Sequence, residues 1–338
     1  PQSPGWSRET LDSSWMNAMN FDVSVVAKSI NYEGWAMAQP SLKAKLNNGA
    51  LNLEQLQTGL YQGQLNLSGT MKPSNGQNGY TVNGNANLRD VSLEPLVGSL
   101  TGNRILKGQG LVSSDATINA SGLSPAALVS SLGGNGTLTG RDIVLTGFDL
   151  ARFARAMSSE TKPGDTALGV WKSATRGGST QFDTMDGEFS INEGIVNISS
   201  IKMDGPKAFM DTTGTVNIPQ YTIATTHTIS LKDEDIPEFE INIQGPLNNP
   251  AQTFGQGVLN DYISRKVNRK LQDLISDKLG DKLGLPGAQS QQAEQDGASE
   301  AEVEPAANDD NNEPEAEQPR NTEPEEAIRG LLQGLLKQ

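Results

Sequence analysis

The stretch that decides the fold is Leu111-Val112-Ser113-Ser114-Asp115-Ala116-Thr117-Ile118-Asn119-Ala120-Ser121. Val112, Ala116, Ile118 and Ala120 stand at every second position with Ser114 among them, and Ser113, Asp115, Thr117, Asn119 and Ser121 fill the alternate ones. Successive side chains of a β-strand point to opposite faces, so this stretch reads as a strand with one apolar and one wet side. Tyr221, Ile223, Thr225, His227, Ile229 and Leu231 repeat the pattern against Thr222, Ala224, Thr226, Thr228 and Ser230. Between such segments, from about Asn20 to Gln244, stand Asn47-Asn48-Gly49, Asn75-Gly76, Asn78-Gly79, Asn83-Gly84 and Asn192-Glu193-Gly194. Asn and Gly accept the positive φ that tight hairpins require. The reading is a mostly β fold: an elongated, curved, largely antiparallel sheet with an apolar inner face. About 12 to 16 strands at about 4.8 Å each would span on the order of 60 to 75 Å.

Helical signals are few. Ser124-Pro125 starts a short helix ending at Leu132-Gly133-Gly134, with Ser as the cap and Pro in the first turn. After Gly147, the apolar Leu150, Phe153, Ala154 and Met157 lie at helical spacing, with Arg152 and Arg155 outside. The longest helix is expected over 257–283, where Leu259, Ile263, Val267, Leu271, Leu274, Ile275, Leu279 and Leu283 form a stripe opposite Arg265, Lys266, Arg269, Lys270, Lys278 and Lys282. It closes the β-rich body.

Composition narrows the function. The 338 residues include no cysteine and one histidine, which excludes disulfide scaffolds, thiol catalysis, multi-histidine metal centres and histidine-dependent triads. No apolar run approaches the roughly 18 to 20 residues that span a bilayer, and no basic segment precedes an apolar one. The expectation is a soluble piece of a longer polypeptide. The net charge is -14, but 286–326 alone holds thirteen Asp/Glu against Arg320 and carries -12 of it. The remainder is near neutral, which argues against nucleic acid as a partner.

Three segments follow from this distribution. Residues 1–285 form the β-rich domain with its closing helix. Residues 286–324, acidic and poor in large apolar side chains, read as a disordered linker. Residues 325–338 read as a short amphipathic helix. There Ile328, Leu331, Leu332, Leu335 and Leu336 follow helical spacing, and the helix is expected to dock on a partner, a membrane interface or the protein's own sheet. The body also repeats internally. At an offset of 145, Leu46-Asn47-Asn48-Gly49-Ala50-Leu51-Asn52-Leu53 faces Ile191-Asn192-Glu193-Gly194-Ile195-Val196-Asn197-Ile198, and Leu56, Leu65 and Gly69 face Ile201, Met210 and Gly214. The reading is a duplication of about 21–122 and 134–245.

Several phrases in order resemble the C-terminal periplasmic part of the AsmA family, which is related more distantly to TamB. They are Leu60-Tyr61-Gln62-Gly63, Gly134-Asn135-Gly136-Thr137-Leu138 leading to Gly147-Phe148-Asp149-Leu150, Thr180-Gln181-Phe182, Phe189-Ser190-Ile191-Asn192-Glu193-Gly194-Ile195-Val196 and Gly214-Thr215-Val216-Asn217-Ile218. Each is a turn plus a strand, and the resemblance covers roughly Asn20 to Leu283. Arg141-Asp142 departs from the Asp-Gly common in the family, a change expected to alter a turn, and the long acidic linker is another departure. The resemblance implies a Gram-negative cell-envelope protein of the periplasm, anchored in the inner membrane by an N-terminal segment missing from this chain. It also implies phospholipid movement between inner and outer membranes along an apolar groove, with a role in outer-membrane integrity and assembly. Phospholipids and envelope or outer-membrane assembly proteins are the implied partners.

Beside that resemblance, no residue pattern points to catalysis, a cofactor or a metal. His227 shares a face with Thr225, Ile229, Tyr221 and Leu231 and reads as an inward, satisfied histidine. Asp233-Glu234-Asp235 with Glu238 and Glu240 lacks the calcium-loop spacing and reads as a solvated turn. The glycines of Gly108-Gln109-Gly110, Gly133-Gly134-Asn135-Gly136 and Gly177-Gly178 precede no Gly-Lys-Ser/Thr and read as turn or bulge glycines. The expected function is a non-catalytic lipid-transfer module, with Leu65, Leu67, Val112, Ile118, Ile223, Ile229, Ile241 and Ile243 contacting lipid. The alternatives are a scaffold for outer-membrane protein assembly that carries no lipid, and a glycan-acting enzyme on a β-helix.

Overall fold

The computed structural model describes residues 5–12, 14–32, 35–74, 79–101, 107–160, 165–174, 176–232 and 235–283. Fourteen strands lie among them: β1 (Phe21–Val26), β2 (Ser29–Tyr32), β3 (Trp35–Asn47), β4 (Ala50–Leu60), β5 (Gly63–Pro73), β6 (Tyr80–Ser92) and β7 (Gly108–Gly122) in the first half. The second half has β8 (Gly133–Thr146), β9 (Ser179–Asn192), β10 (Ile195–Asp204), β11 (Ala208–Asn217), β12 (Thr222–Leu231), β13 (Phe239–Pro246) and β14 (Ala251–Phe254). They form one open sheet in which, from β3 to β14, each strand pairs with the next in sequence. β1 and β2 share the outer edge of β3, at 41–46 and 35–38 respectively. Every pairing is antiparallel, which agrees with the expected fold class and rules out the β-helix of the enzyme alternative.

Turn chemistry explains the succession. Asn48 and Gly49 take φ of 48° and 77°, and Glu193 and Gly194 take 50° and 73°, the left-handed pair that joins two-residue hairpins. The likeness of these turns extends into the strands. On β4 the register shifts between Leu53 and Leu56, and on β10 between Ile198 and Ile201, the same positions at the offset of 145. Asn83-Gly84, expected as a turn, instead lies inside β6. Gly84 stands opposite Gly69 on β5, and a Cβ on Gly69 would come within 2.5 Å of the Asn83 carbonyl oxygen. Arg141-Asp142 is likewise inside β8 rather than in a turn, with Asp142 at φ 54° and Arg141 paired to Asp90 at 2.9 Å.

The helices are α1 (Ser14–Ala18), α2 (Leu93–Thr101), α3 (Pro125–Ser130), α4 (Leu150–Arg155) continued by a π-helical turn (Ala156–Glu160), α5 (Ala167–Ala174) and α6 (Gly257–Leu283). The Ser124 hydroxyl caps α3 by accepting from the Ala127 N–H at 3.2 Å, and Asp149 caps α4 through the Arg152 N–H at 2.8 Å. α1, α2 and α5 escaped the sequence reading. In α5 the signal was Thr166, whose hydroxyl accepts from the Gly169 N–H at 3.2 Å. Only the first part of the α6 stripe is buried: Leu259 and Ile263 are inside, whereas Leu271, Leu274 and Ile275 are exposed. Among the described residues no helix is long and apolar enough to cross a membrane. The chain divides into two units, Pro1–Leu285 and Pro286–Gln338. The second, where the acidic linker and the helix of Ile328, Leu331, Leu332, Leu335 and Leu336 were expected, lies outside the described residues.

Candidate functional site

Directly opposed residues in an antiparallel pair share a face, so the register traces the apolar side from strand to strand. The eight residues expected to contact lipid all lie on one face, two in each of four cross-strand rows. One row runs from Val112 through Gly140, Met185, Met203 and Met210 to Ile229. The next joins Leu65, Leu88, Ser114, Leu138, Gly187, Ile201, Thr212, His227 and Ile241. A third joins Leu67, Ala86, Ala116, Gly136, Phe189, Ile198, Gly214, Thr225 and Ile243. The last passes from Leu53 over Gly69 and Gly84 to Ile118, then through Gly134, Ile191, Val196 and Val216 to Ile223.

These rows differ in what covers them. α2, α4, α5 and α6 all leave or meet strands at the Val112–Ile229 end, and three of them fill the space above it. Leu150, Phe153, Met157, Trp171, Leu259 and Ile263 join Val112, Ile143, Phe182, Ile229 and Phe239 in one buried cluster. Its centre is aromatic: Phe153 meets Trp171 edge-on at 5.5 Å, Trp171 stacks on Phe254 at 4.8 Å, and Phe153 lies 5.1 Å from Phe239. Val112, Ile229 and Ile241 are therefore occupied by the protein's own side chains, with Ile229 fully buried. That removes these three as open contact positions. Leu65, Leu67, Ile118, Ile223 and Ile243 are half-buried and lack such a helical cover. Beside Ile118, an apolar recess of about 180 Å³ opens between the sheet and α3, lined by Val82, Ala120, Leu128, Val129 and Leu132.

The glycines in these rows are places of close approach. A Cβ on Gly136 would stand 2.5 Å from Phe189 Cζ, so the tip of the ring occupies the position where a side chain would rise. Polar groups on this face are few and internally satisfied. Thr212 Oγ1 lies 2.8 Å from His227 Nδ1, and Thr225 Oγ1 lies 3.1 Å from Nε2. Burial pushes the imidazole pKa below its ordinary value, so the ring is held neutral. His227 is the inward, satisfied histidine the alternation implied. Among the described residues no group of three His, Asp or Glu could hold a metal ion. In the acidic cluster, Asp233 and Glu234 lie outside the described residues, Glu238 accepts from Ser230, and Glu240 is exposed on the opposite face. Trp171, central to the helical cover, was missed by sequence reasoning because α5 was.

A comparison with known proteins gives one family and no close relative. No curated protein and no solved structure matches the chain. The model of the AsmA family matches residues 2–201, from before β1 to the seventh residue of β10. This span holds more than half of the chain, and β11 to β14 extend the same sheet beyond it. The chain belongs to the AsmA family.

Proposed function

We propose that this chain is a non-catalytic, bridge-like lipid-transfer module acting in the periplasm between inner and outer membranes, and that phospholipid is its cargo. The carrying observation is that the apolar rows continue across β4–β13 while the cluster built by α4, α5 and α6 covers only the end that holds Val112 and Ile229. Acyl chains would lie over Leu65, Leu67, Ile118, Ile223 and Ile243, with headgroups in water at the uncovered margin. Each methylene removed from water contributes about 0.8 kcal/mol. Because neighbouring strands about 4.8 Å apart offer similar apolar surface, a chain moving from one strand to the next changes its burial little. Such a surface holds a lipid without trapping it, as a conduit requires.

Lipid extraction and native mass spectrometry of the purified protein test the reading. Recovered phospholipid that is lost in a Leu67→Asp variant supports the conduit. A lipid-free protein with unchanged envelope partners favours the second reading, a scaffold for outer-membrane protein assembly. The observation on its side is the edge formed by β1 and β2, where Val25, Val26 and Ile30 are exposed, Val26 to 74%. Such an edge can accept a partner strand.

A further inference from the structure

The opposite face of the same sheet holds a trough of another chemistry. Across β4–β9 its polar positions wall a recess of about 620 Å³ whose floor is the row of Leu67, Ala86, Ala116, Gly136 and Phe189, and a second of about 350 Å³ continues it to Thr70, Asn83 and Asn119. Two cross-strand rows form its walls. In one, Asn66, Asn87, Asp115, Thr137 and Glu188 stand opposite one another on successive strands; in the other, Ser68, Asn85, Thr117 and Asn135 do.

Charge narrows what can bind there. Glu54, Asp115 and Glu188 reach the recess. Lys45 pairs with Glu54 at 2.7 Å and Arg89 with Asp115 at 2.9 Å, which leaves Glu188 without an ion pair among the described residues. The guanidinium of Arg89 and the amide of Asn87 hold the Asp115 carboxyl below its usual pKa, so it is ionised. A phosphate or other anion is therefore disfavoured. A lipid tail would strip water from the amides of both walls without replacing their hydrogen bonds. Part of the hydrogen-bonding capacity is spent internally: Asn87 donates to Asp115, and Thr117 to the side-chain oxygen of Asn135. The amides of Asn66 and Asn85 and the NH2 group of Asn135 keep their donors for a ligand.

We propose that this recess binds an uncharged glycan strand laid across β4–β9. Amide, hydroxyl and carboxylate side chains are the groups that take up pairs of sugar hydroxyls, and they recur here at the strand spacing of about 4.8 Å, close to the length of one sugar ring. No aromatic ring rises from the two walls, so recognition rests on hydrogen bonds exchanged with water and is weak, in the millimolar range.

Titration of the full 15N-labelled chain with cellohexaose, chitohexaose and maltohexaose, followed on the side-chain amide signals of Asn66, Asn85 and Asn135, tests the site. The expected result is a saturable shift with at least one of them, weakened at least tenfold by Asn85→Ala/Asn135→Ala and by Thr137→Arg, which fills the recess. Ile223→Asp, on the other face and beyond the recess, should leave glycan affinity within twofold, so this outcome is independent of lipid carriage. The site is overturned if none of the three sugars saturates, if the two variants melt and bind as the parent does, or if inorganic phosphate displaces the sugar.

Discussion

His227 Nδ1 on β12 lies 2.8 Å from Thr212 Oγ1 on β11, and the two residues are direct register partners. Either tautomer is served, because a hydroxyl can donate or accept and Thr225 meets the other nitrogen. Burial lowers the folded-state pKa, while the unfolded imidazole titrates near 6.5. Below about pH 6.5 the unfolded chain therefore binds this proton more readily than the folded one. The contribution of the neutral ring is fully present above that pH and is lost as pH falls toward the lowered folded value. Melting temperatures between pH 7.5 and 5 should fall further for the parent than for His227→Gln, which keeps a hydrogen-bonding side chain. Equal slopes would contradict the assignment.

Ile118 and Asn119 are neighbours in sequence that face opposite sides of β7. Ile118 stands between Gly84 and Gly134 in the apolar row that ends at Ile223, and Asn119 between Asn83 and Gly133. Ile118→Asp should cost about 1–2 kcal/mol, since a half-buried apolar side chain is lost and a carboxylate meets an apolar surface. It should also abolish phospholipid retention. Asn119→Asp should stay within about 0.5 kcal/mol of the parent and retain lipid. Equal lipid recovery from both variants would refute the role given to this face.

The covered and uncovered parts of the face should respond differently to truncation of a side chain. Phe153 is fully buried among Trp171, Phe239 and Phe254, so Phe153→Ala leaves a cavity and should cost about 3–5 kcal/mol. Leu53 is half-buried at the open side, and Leu53→Ala should cost about 1 kcal/mol. Urea denaturation midpoints of the two variants measure the contrast. A loss at Leu53 as large as that at Phe153 would mean that something else covers the open rows.

The alternation of residues such as Val112 to Ala120 is local, and it survived folding intact; so did the 257–283 helix, whose periodic stripe runs for seven turns. What covers the sheet was not local. Nothing within Ile223 or Ile229 distinguishes them, yet one is half-buried and the other fully enclosed, because α4 and α5 enter between β8 and β9 and settle at one end of the rows. The interior kinks were equally hidden. Asp90 and Asp142 take φ of 50° and 54° inside strands with no glycine to announce it, while Asn83-Gly84 carries a turn signal that the pairing of Gly84 with Gly69 overrides. The eight candidate residues were chosen by period alone, and period gives the face but not its exposure.

The shared irregularities of β4 and β10 lead to a prediction about deletions. On β4, Lys43 pairs with Gln55 and Ala44 with Leu53, leaving Glu54 as the extra residue, and Ser68 alone on β5 faces Glu54 and Gln55. On β10 the same arithmetic leaves Ser199 extra between Ile198 and Ser200. Both are exposed. Removing either would close the bulge and make both flanking ladders continuous, with Leu53 and Leu56, or Ile198 and Ile201, still on the apolar face. Deleting Asn66 from the unbulged β5 would instead turn one side of that strand over and carry Leu65 or Leu67 to the wet face. The single deletions of Glu54 and of Ser199 should each fold with losses of about 1 kcal/mol, and the deletion of Asn66 should lose several. Circular dichroism melts of the three proteins decide it: a Glu54 deletion as damaging as the Asn66 deletion would show that the bulge sets the bend of the sheet rather than merely absorbing one residue.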